Sequence, residues 1–488
     1  MASDRTTRTT SAGQRPPNAI VQLVPLAALA VVLVDAATDF FPDDPLVGVV
    51  TPTRLALLAG AAALLTPVRG RPRPRLADFR TRLDLPVGLL LLASVATTYI
   101  GGHPTAPLRG LLTVIACYYL VVGLRRSQPE SWRAVALLAL ISVSAAATTA
   151  FSQVTNETAT GFCRTGLLTD VSCDAGGDGV VIRAVGTFAN PNLLAAFLVL
   201  MLPFALLAVV SVDERTAKTA VVLMAVLGYG ALLTTFSRAG YVAGAAGLLV
   251  LGGAYWLAPR LADRTQRRLV AVLGLVGLAC ASAAIWAVSR AGDSLGVRGQ
   301  AWNAALDLAV DDPLGVGLGR SGAVISAAAP GDRVFVHAHN LWLNWLVETG
   351  PVGLLAIASV AVIAWASAAR AARAKSVLGI AGLAALTGFF LASMVDHPAN
   401  LDRIDILFWL VLALVMADVP ATWRSPAPSS EPRATQPTRP RHGPHQARTP
   451  IPAPVAGREP AATASTADNA DPVDADASAR PPYIPQSR

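Results

Sequence analysis

Long apolar runs separated by short polar stretches dominate the first 420 residues. The runs fall near 19–34, 46–67, 85–100, 108–123, 134–150, 193–210, 219–235, 241–257, 269–288, 341–366, 377–395 and 404–417. At 1.5 Å of rise per residue, runs of about 20 residues match a hydrocarbon core roughly 30 Å thick. The pattern therefore predicts an all-α, polytopic membrane protein of about twelve spanning helices. Two longer polar segments, 151–192 and 289–340, interrupt the rhythm, and the second carries a short helix-like run over 301–310 that Asp311, Asp312 and Pro313 close. After residue 423 the chain turns rich in Pro, Ala, Ser, Thr and Arg. Such a stretch has too little apolar surface to offset chain entropy, so 424–488 reads as a disordered tail. The expected organisation is an N-terminal segment 1–18, a membrane domain 19–423 and that tail.

Composition supports this class and adds an orientation. The chain is 53% hydrophobic and 14% charged, and its net charge of +8 comes almost entirely from arginine, since Lys218 and Lys375 are the only lysines. The basic residues crowd short loops at 69–82, 125–133, 215–218, 260–268 and 370–375, which lie on one side if there are twelve spans. The positive-inside rule makes that side the cytoplasm and explains the charge without nucleic acid. Both termini are then cytoplasmic, and the two long loops face outward with an acidic loop of Asp35, Asp39, Asp43 and Asp44. The polar N-terminus leads into a full-length apolar run rather than a short one with a cleavage site, so no cleavable signal peptide is expected. Cys163 and Cys173 share the first outer loop, where an oxidising compartment permits a disulfide; two free thiols are the alternative. Cys117 and Cys280 lie within apolar runs as packing residues, and no Cys/His spacing suggests a zinc site.

Candidate chemistry gathers at the outer ends of the runs. Arg183 stands shortly before Asn190, Pro191 and Asn192, where a helix begins and unpaired N–H groups favour an anion; a solvated arginine beside an ordinary asparagine cap is the plainer reading. Arg238 sits between two apolar runs with only Ser237 as polar company, and an arginine so placed either snorkels to lipid phosphate or lines a cavity for a charged ligand. Arg298 precedes the short helical run. Arg320 follows Gly315, Gly317 and Gly319, whose spacing does not match a phosphate-binding loop and by itself marks a turn. His337, His339 and Asn340 close the second loop. With a helix starting near His339, Asn340, Asn344 and Glu348 share one face, and Glu348 needs a partner that one of the arginines is expected to supply. Histidine accepts a proton near neutral pH, whereas arginine is only a fixed positive donor.

Four strings carry a resemblance: RAVGTFANPNLLAAFLVLMLP, TTFSRAGYVAG, VRGQAWNAALDLAVDDPLGVGLG and HAHNLWLNWLVETGPVG. In this order, from Arg183 to Gly353, they resemble the superfamily of O-antigen ligases and polymerases, polytopic membrane glycosyltransferases. The resemblance implies a GT-C-like helical fold in the bacterial cytoplasmic membrane and transfer of a glycan from a polyprenyl-diphosphate carrier to an acceptor hydroxyl at the outer face. It implies no nucleotide sugar, no cofactor and, in the ligase branch, no metal. Carried over by motif, Arg183 and Arg238 contact the diphosphate and His339 is the base. Arg298, Arg320, His337, Asn192, Asn340 and Glu348 are candidate substrate contacts. The partners implied are a lipid-linked glycan donor, a glycan, lipid or protein acceptor and membrane lipid.

Other readings stay open on the sequence. Ligase, repeat-unit polymerase and protein O-glycosyltransferase differ in their acceptor. A transporter or flippase for a lipid-linked glycan would also show many spans and interfacial arginines, but with ionisable groups near the midplane and repeat symmetry. A metal-dependent enzyme of similar fold would use carboxylates such as Asp35, Asp39, Asp43 and Asp44.

Overall fold

The structure is a computed structural model that describes residues 18–41, 50–67, 74–165, 169–171, 173, 180–257, 296–419 and a few positions between 260 and 268. The expected span 269–288, the tail 424–488, Asp43, Asp44 and Cys280 lie outside the described residues. The helices in the first half are α1 (Asn18–Thr38), α2 (Pro52–Leu65), α3 (Asp84–Ile100), α4 (Ala106–Ser127), α5 (Ser131–Thr155), α6 (Pro191–Leu206) and α7 (Ala208–Ser211). Those that follow are α8 (Arg215–Thr234), α9 (Arg238–Gly252), α10 (Gly296–Asp311), α11 (Ser321–Ala328), α12 (Leu341–Arg373), α13 (Val377–Ala392) and α14 (Asp402–Ala417). Among the described residues, six helical stretches are long and apolar enough to cross a membrane: Ala106–Ser127, Ser131–Thr155, Pro191–Ser211, Arg215–Thr234, Arg238–Trp256 and Leu341–Arg373. Shorter apolar helices stand beside them.

The chain is not purely helical. In the first long loop, β1 (Cys163–Thr165) lies between β2 (Thr169–Val171) and β3 (Val180–Ile182) in an antiparallel sheet. Cys163 and Cys173 are joined by a disulfide, their Cα atoms 5.0 Å apart. Within the described part of the second expected span, 46–67, the helix runs from Pro52 to Leu65. Proline has no N–H to donate and is best tolerated in the first turn of a helix, where that N–H would have no partner, and the Thr51 side chain caps the turn by accepting from the Arg54 amide.

In a lipid environment helices gain little from the hydrophobic effect against one another, so close packing holds the bundle. At Gly388 in α13 an added Cβ would come within 2.6 Å of Val199 in α6 and 2.8 Å of the Ala243 carbonyl in α9. The bare backbone is what lets these three helices meet. α14 is apolar on every side and buried at every position from Ile406 to Met416, as such a helix must be.

α12 breaks at Gly350, whose φ of 68° and ψ of −172° suit glycine alone, and the next residue is Pro351. Pro351 has no N–H for the Val347 carbonyl one turn back, and the Val316 amide takes it instead at 2.8 Å. The Gly317 amide likewise reaches the Glu348 carbonyl at 3.1 Å. The glycine-rich turn read from the sequence is thus the plug for a broken helix, with Gly315, Gly317 and Gly319 all at positive φ.

Candidate active site

Three tight local structures deliver arginines to one place. α8 and α9 are joined by Thr235, Phe236 and Ser237 alone; Phe236 takes a left-handed φ of 48°, and the Ser237 hydroxyl caps α9 by accepting from the Gly240 amide. This puts Arg238 on the first turn of α9, where helix N–H groups also favour an anion. Arg183 follows β3. Its Nε donates to the Thr235 carbonyl at 3.1 Å and its Nη2 to Asn192 Oδ1 at 3.4 Å, while Asn190 caps α6 by accepting from the Asn192 amide. Gln153 of α5 pins the stretch after Arg183, accepting from the Val185 and Gly186 amides at 3.0 and 2.8 Å. Arg164, on β1, is 2% exposed and donates to the Phe236 carbonyl at 3.0 Å.

Together Arg164, Arg183, Asn192, Ser237, Arg238 and Arg298 line a cavity of about 340 Å³, with Phe236, Ala239 and Val297 completing the wall. No carboxylate is among these lining residues. Clustered guanidinium groups repel one another, and a multiply charged anion relieves that repulsion through charge-assisted, bidentate hydrogen bonds.

His339 does not line this cavity. It belongs to a neighbouring cluster with His337, Asp396 and His397. α12 begins at Leu341, where the apolar run starts, because Asn340 is its cap: Asn340 Oδ1 accepts from the Trp342 and Leu343 amides at 2.9 and 3.0 Å. His339 just before it holds a left-handed φ of 49°, a conformation that costs free energy and marks a constrained position. The Asn340 Nδ2 donates to the Met394 carbonyl at 2.8 Å and the Leu341 amide to Ser393 at 3.0 Å, which draws the α13–α14 loop alongside. Asp396 Oδ1 then lies 3.6 Å from both His337 Nε2 and His339 Nδ1. At that distance the pairs are close polar contacts, longer than ordinary hydrogen bonds.

Arg298 connects the two places. In α10 it stands one turn before Trp302, whose indole N–H donates to the His339 carbonyl at 3.2 Å, and its charge acts on both His337 and Asp396. Burial pushes His337 down to about 4, opposed by Asp396 and helped by His339 and Arg298. Burial by itself would raise the Asp396 carboxyl, but His339, His337, the His397 amide and Arg298 outweigh it and hold it down at about 2. His397 is pushed to about 3, again by burial first.

The ligand atoms of His337, His339 and Asp396 lie within 4.8 Å of one another, close enough to invite a metal ion. His337 does not fit that role. The His339 amide donates to its Nδ1 at 2.9 Å, so the ring proton of neutral His337 sits on Nε2, facing Asp396 as a donor rather than a ligand. His339 can donate from Nδ1 to Asp396, which leaves its Nε2 lone pair to accept a proton.

The remaining sequence candidates have other surroundings. Arg320 Nη1 meets the His103 ring, 2.9 Å from Nδ1, and the Val316 carbonyl at 3.2 Å. Among the described residues, Glu348 is paired with no arginine. It accepts from the Ser321 hydroxyl at 2.7 Å and the Ser321 amide at 3.3 Å, closing the start of α11, where a carboxylate meets orphan N–H groups. Asp35 accepts from the Thr53 hydroxyl at 2.7 Å, and Asp39 pairs with Arg403 at 3.3 Å. Arg164, Gln153, Asp396 and His397 escaped the sequence reading.

The structure is thus a mostly helical one in which a basic cavity with no carboxylate in its lining lies beside a His–Asp cluster. Residues 219–358 match the family model Wzy_C, described as O-antigen ligase, and this match supports a likeness to the O-antigen ligase superfamily over that stretch. It supports a glycan-transfer function at a membrane. The matched stretch includes Arg238, Arg298, Arg320, His337, His339 and Glu348, while Arg164, Arg183 and Asp396 fall outside it. No curated protein matches the chain.

Proposed function

We propose that the protein is a GT-C-like membrane glycosyltransferase that moves a glycan from a polyprenyl-diphosphate carrier to an acceptor hydroxyl at the outer face of the membrane. The observation that carries this is the convergence of Arg183, Arg238 and Arg298 on one cavity, with Arg298 also acting on the histidine cluster. The carrier diphosphate gains negative charge as the glycosidic bond breaks, and fixed guanidinium groups meet that charge without transferring a proton. His339 Nε2 accepts the acceptor's hydroxyl proton as its oxygen attacks the anomeric carbon. Asp396 orients the ring and stabilises the imidazolium that forms. A single displacement of this kind inverts the anomeric centre.

The test is reconstitution with a polyprenyl-diphosphate glycan and candidate acceptors. His339→Ala is expected to lower the rate about 10²- to 10⁴-fold, the usual worth of a positioned base. Arg183→Ala and Arg238→Ala are expected to weaken donor use. Full activity in all three variants ends the mechanism, and product formed only with a divalent ion moves the chemistry to carboxylates. A lengthened lipid-linked chain identifies a polymerase; glycan on a different molecule identifies a ligase or, on a polypeptide, a protein glycosyltransferase. Movement of intact donor across the bilayer without transfer identifies a transporter.

A further inference from the structure

Arg164 lies outside the four motifs and outside the matched family stretch, yet it lines the same cavity as Arg183, Arg238 and Arg298. It arrives there on a strand. In the β1–β3 ladder Arg164 stands opposite Val181 and Cys163 opposite Ile182, and the Arg183 amide extends the ladder to the Phe162 carbonyl at 2.9 Å. Side chains alternate along a strand, so Arg164 and Arg183 project from one face as diagonal neighbours while Cys163 takes the other face. The two guanidinium groups then grip consecutive carbonyls of the α8–α9 turn, Arg183 that of Thr235 and Arg164 that of Phe236. A carbonyl fixes such a group in place and leaves its charge intact. At 2% exposure Arg164 is also poorly screened by water, which strengthens its pull on an anion in the cavity.

Strands of three residues have little hold on their own register. The covalent link from Cys163, the residue before Arg164, to Cys173, just past β2, ties β1 to the end of β2 beside the β1–β3 ladder that carries Arg164 and Arg183. We propose that Arg164 is a fourth anion-binding guanidinium of this cavity and that the Cys163–Cys173 disulfide holds it there, so that affinity for a diphosphate depends on the oxidised loop. The proposal rests on reading the cavity as a diphosphate site.

Farnesyl diphosphate and farnesyl monophosphate serve as probes, with calorimetry on the full-length protein in detergent. Arg164→Gln, which keeps a donor for the Phe236 carbonyl, is expected to weaken the diphosphate about tenfold, the worth of one charge-assisted hydrogen bond, and the monophosphate less. Arg164→Lys should fall between Arg164→Gln and wild type. Dithiothreitol opens the disulfide by thiol exchange, giving two cysteine thiols and the cyclic oxidised reductant. It should weaken diphosphate binding in wild type and add nothing in Arg164→Gln, and the Cys163→Ser/Cys173→Ser variant should behave alike. Equal losses on reduction in both backgrounds would show that the disulfide acts elsewhere. Wild-type binding by Arg164→Gln while Arg183→Ala and Arg238→Ala are weak would remove Arg164 and leave the diphosphate site standing. Unchanged binding in every arginine variant would remove both. Should Arg164→Gln fail to fold, the diphosphate-to-monophosphate ratio of Arg164→Lys decides: a ratio equal to wild type overturns the proposal.

Discussion

At the scale of single residues, burial and charge around His337 predict how the protein responds to acid. A free histidine titrates near 6.5, whereas His337 is held at about 4 by burial, against Asp396 and with His339 and Arg298. Between those values the unfolded chain takes up a proton that the folded one refuses. The stabilising contribution is therefore complete above about 6.5 and is lost as pH falls toward 4. His397 acts in the same direction down to about 3, and Asp396 only below the ordinary carboxylate range. The melting temperature in detergent should fall between pH 7 and pH 4.5, with a shallower slope in His337→Asn and a flatter one still when His397→Asn is added. An identical slope in the double variant would refute this account. Asp396→Asn, nearly isosteric, should lower turnover about 10- to 100-fold with little change in donor affinity, because it removes the charge that steadies protonated His339. A drop in affinity with turnover unchanged would place Asp396 in binding instead.

At the scale of elements, the break in α12 and the turn that fills it form one unit. Gly315 has a φ of 95°, and a Cβ there would stand 2.5 Å from the Glu348 carbonyl oxygen. Gly331 shares a positive φ of 86° but has nothing within 4 Å. Gly315→Ala should thus cost more than about 2 kcal/mol and Gly331→Ala about 1, since one adds a backbone clash to the conformational strain. Thermal unfolding of the two variants compares them directly, and equal costs would separate the turn from the kink. Glu348 belongs to the same unit. From sequence it looked like a buried charge in want of an arginine; the short helix α11 had no helical run long enough to announce itself, so its need for an N-terminal acceptor was invisible.

At the scale of the whole molecule, the bundle has two chemically different ends. At one, Arg126 donates to the carbonyls of Ala417, Asp78 and Arg80 at 3.3, 2.8 and 2.8 Å, and Arg125 pairs with Asp418 at 3.1 Å. The arginine cavity and the histidine cluster occupy the helix ends opposite. The positive-inside rule then predicts that the cavity faces out. Val334, 87% exposed, replaced by cysteine should react with a membrane-impermeant maleimide in intact cells. Asp213→Cys, in the exposed turn before α8, should react only after permeabilisation. The reverse pattern would put the chemistry in the cytosol and exclude the proposed donor geometry.

The polytopic helical class, most of the described apolar helices and the order of the motif strings were readable along the chain. Each rests on local information: hydrophobic period and length, helix-terminus residues, and the ordering of short strings. Tertiary structure alone decided that Arg164 joins Arg183, that Asp396 stands beside His339 57 positions earlier, and that His339 sits next to the cavity rather than in its wall. Those outcomes depend on strand register and on which loop a helix cap draws in. Both are settled by contacts between segments far apart in the chain, which leave no periodic trace in either one.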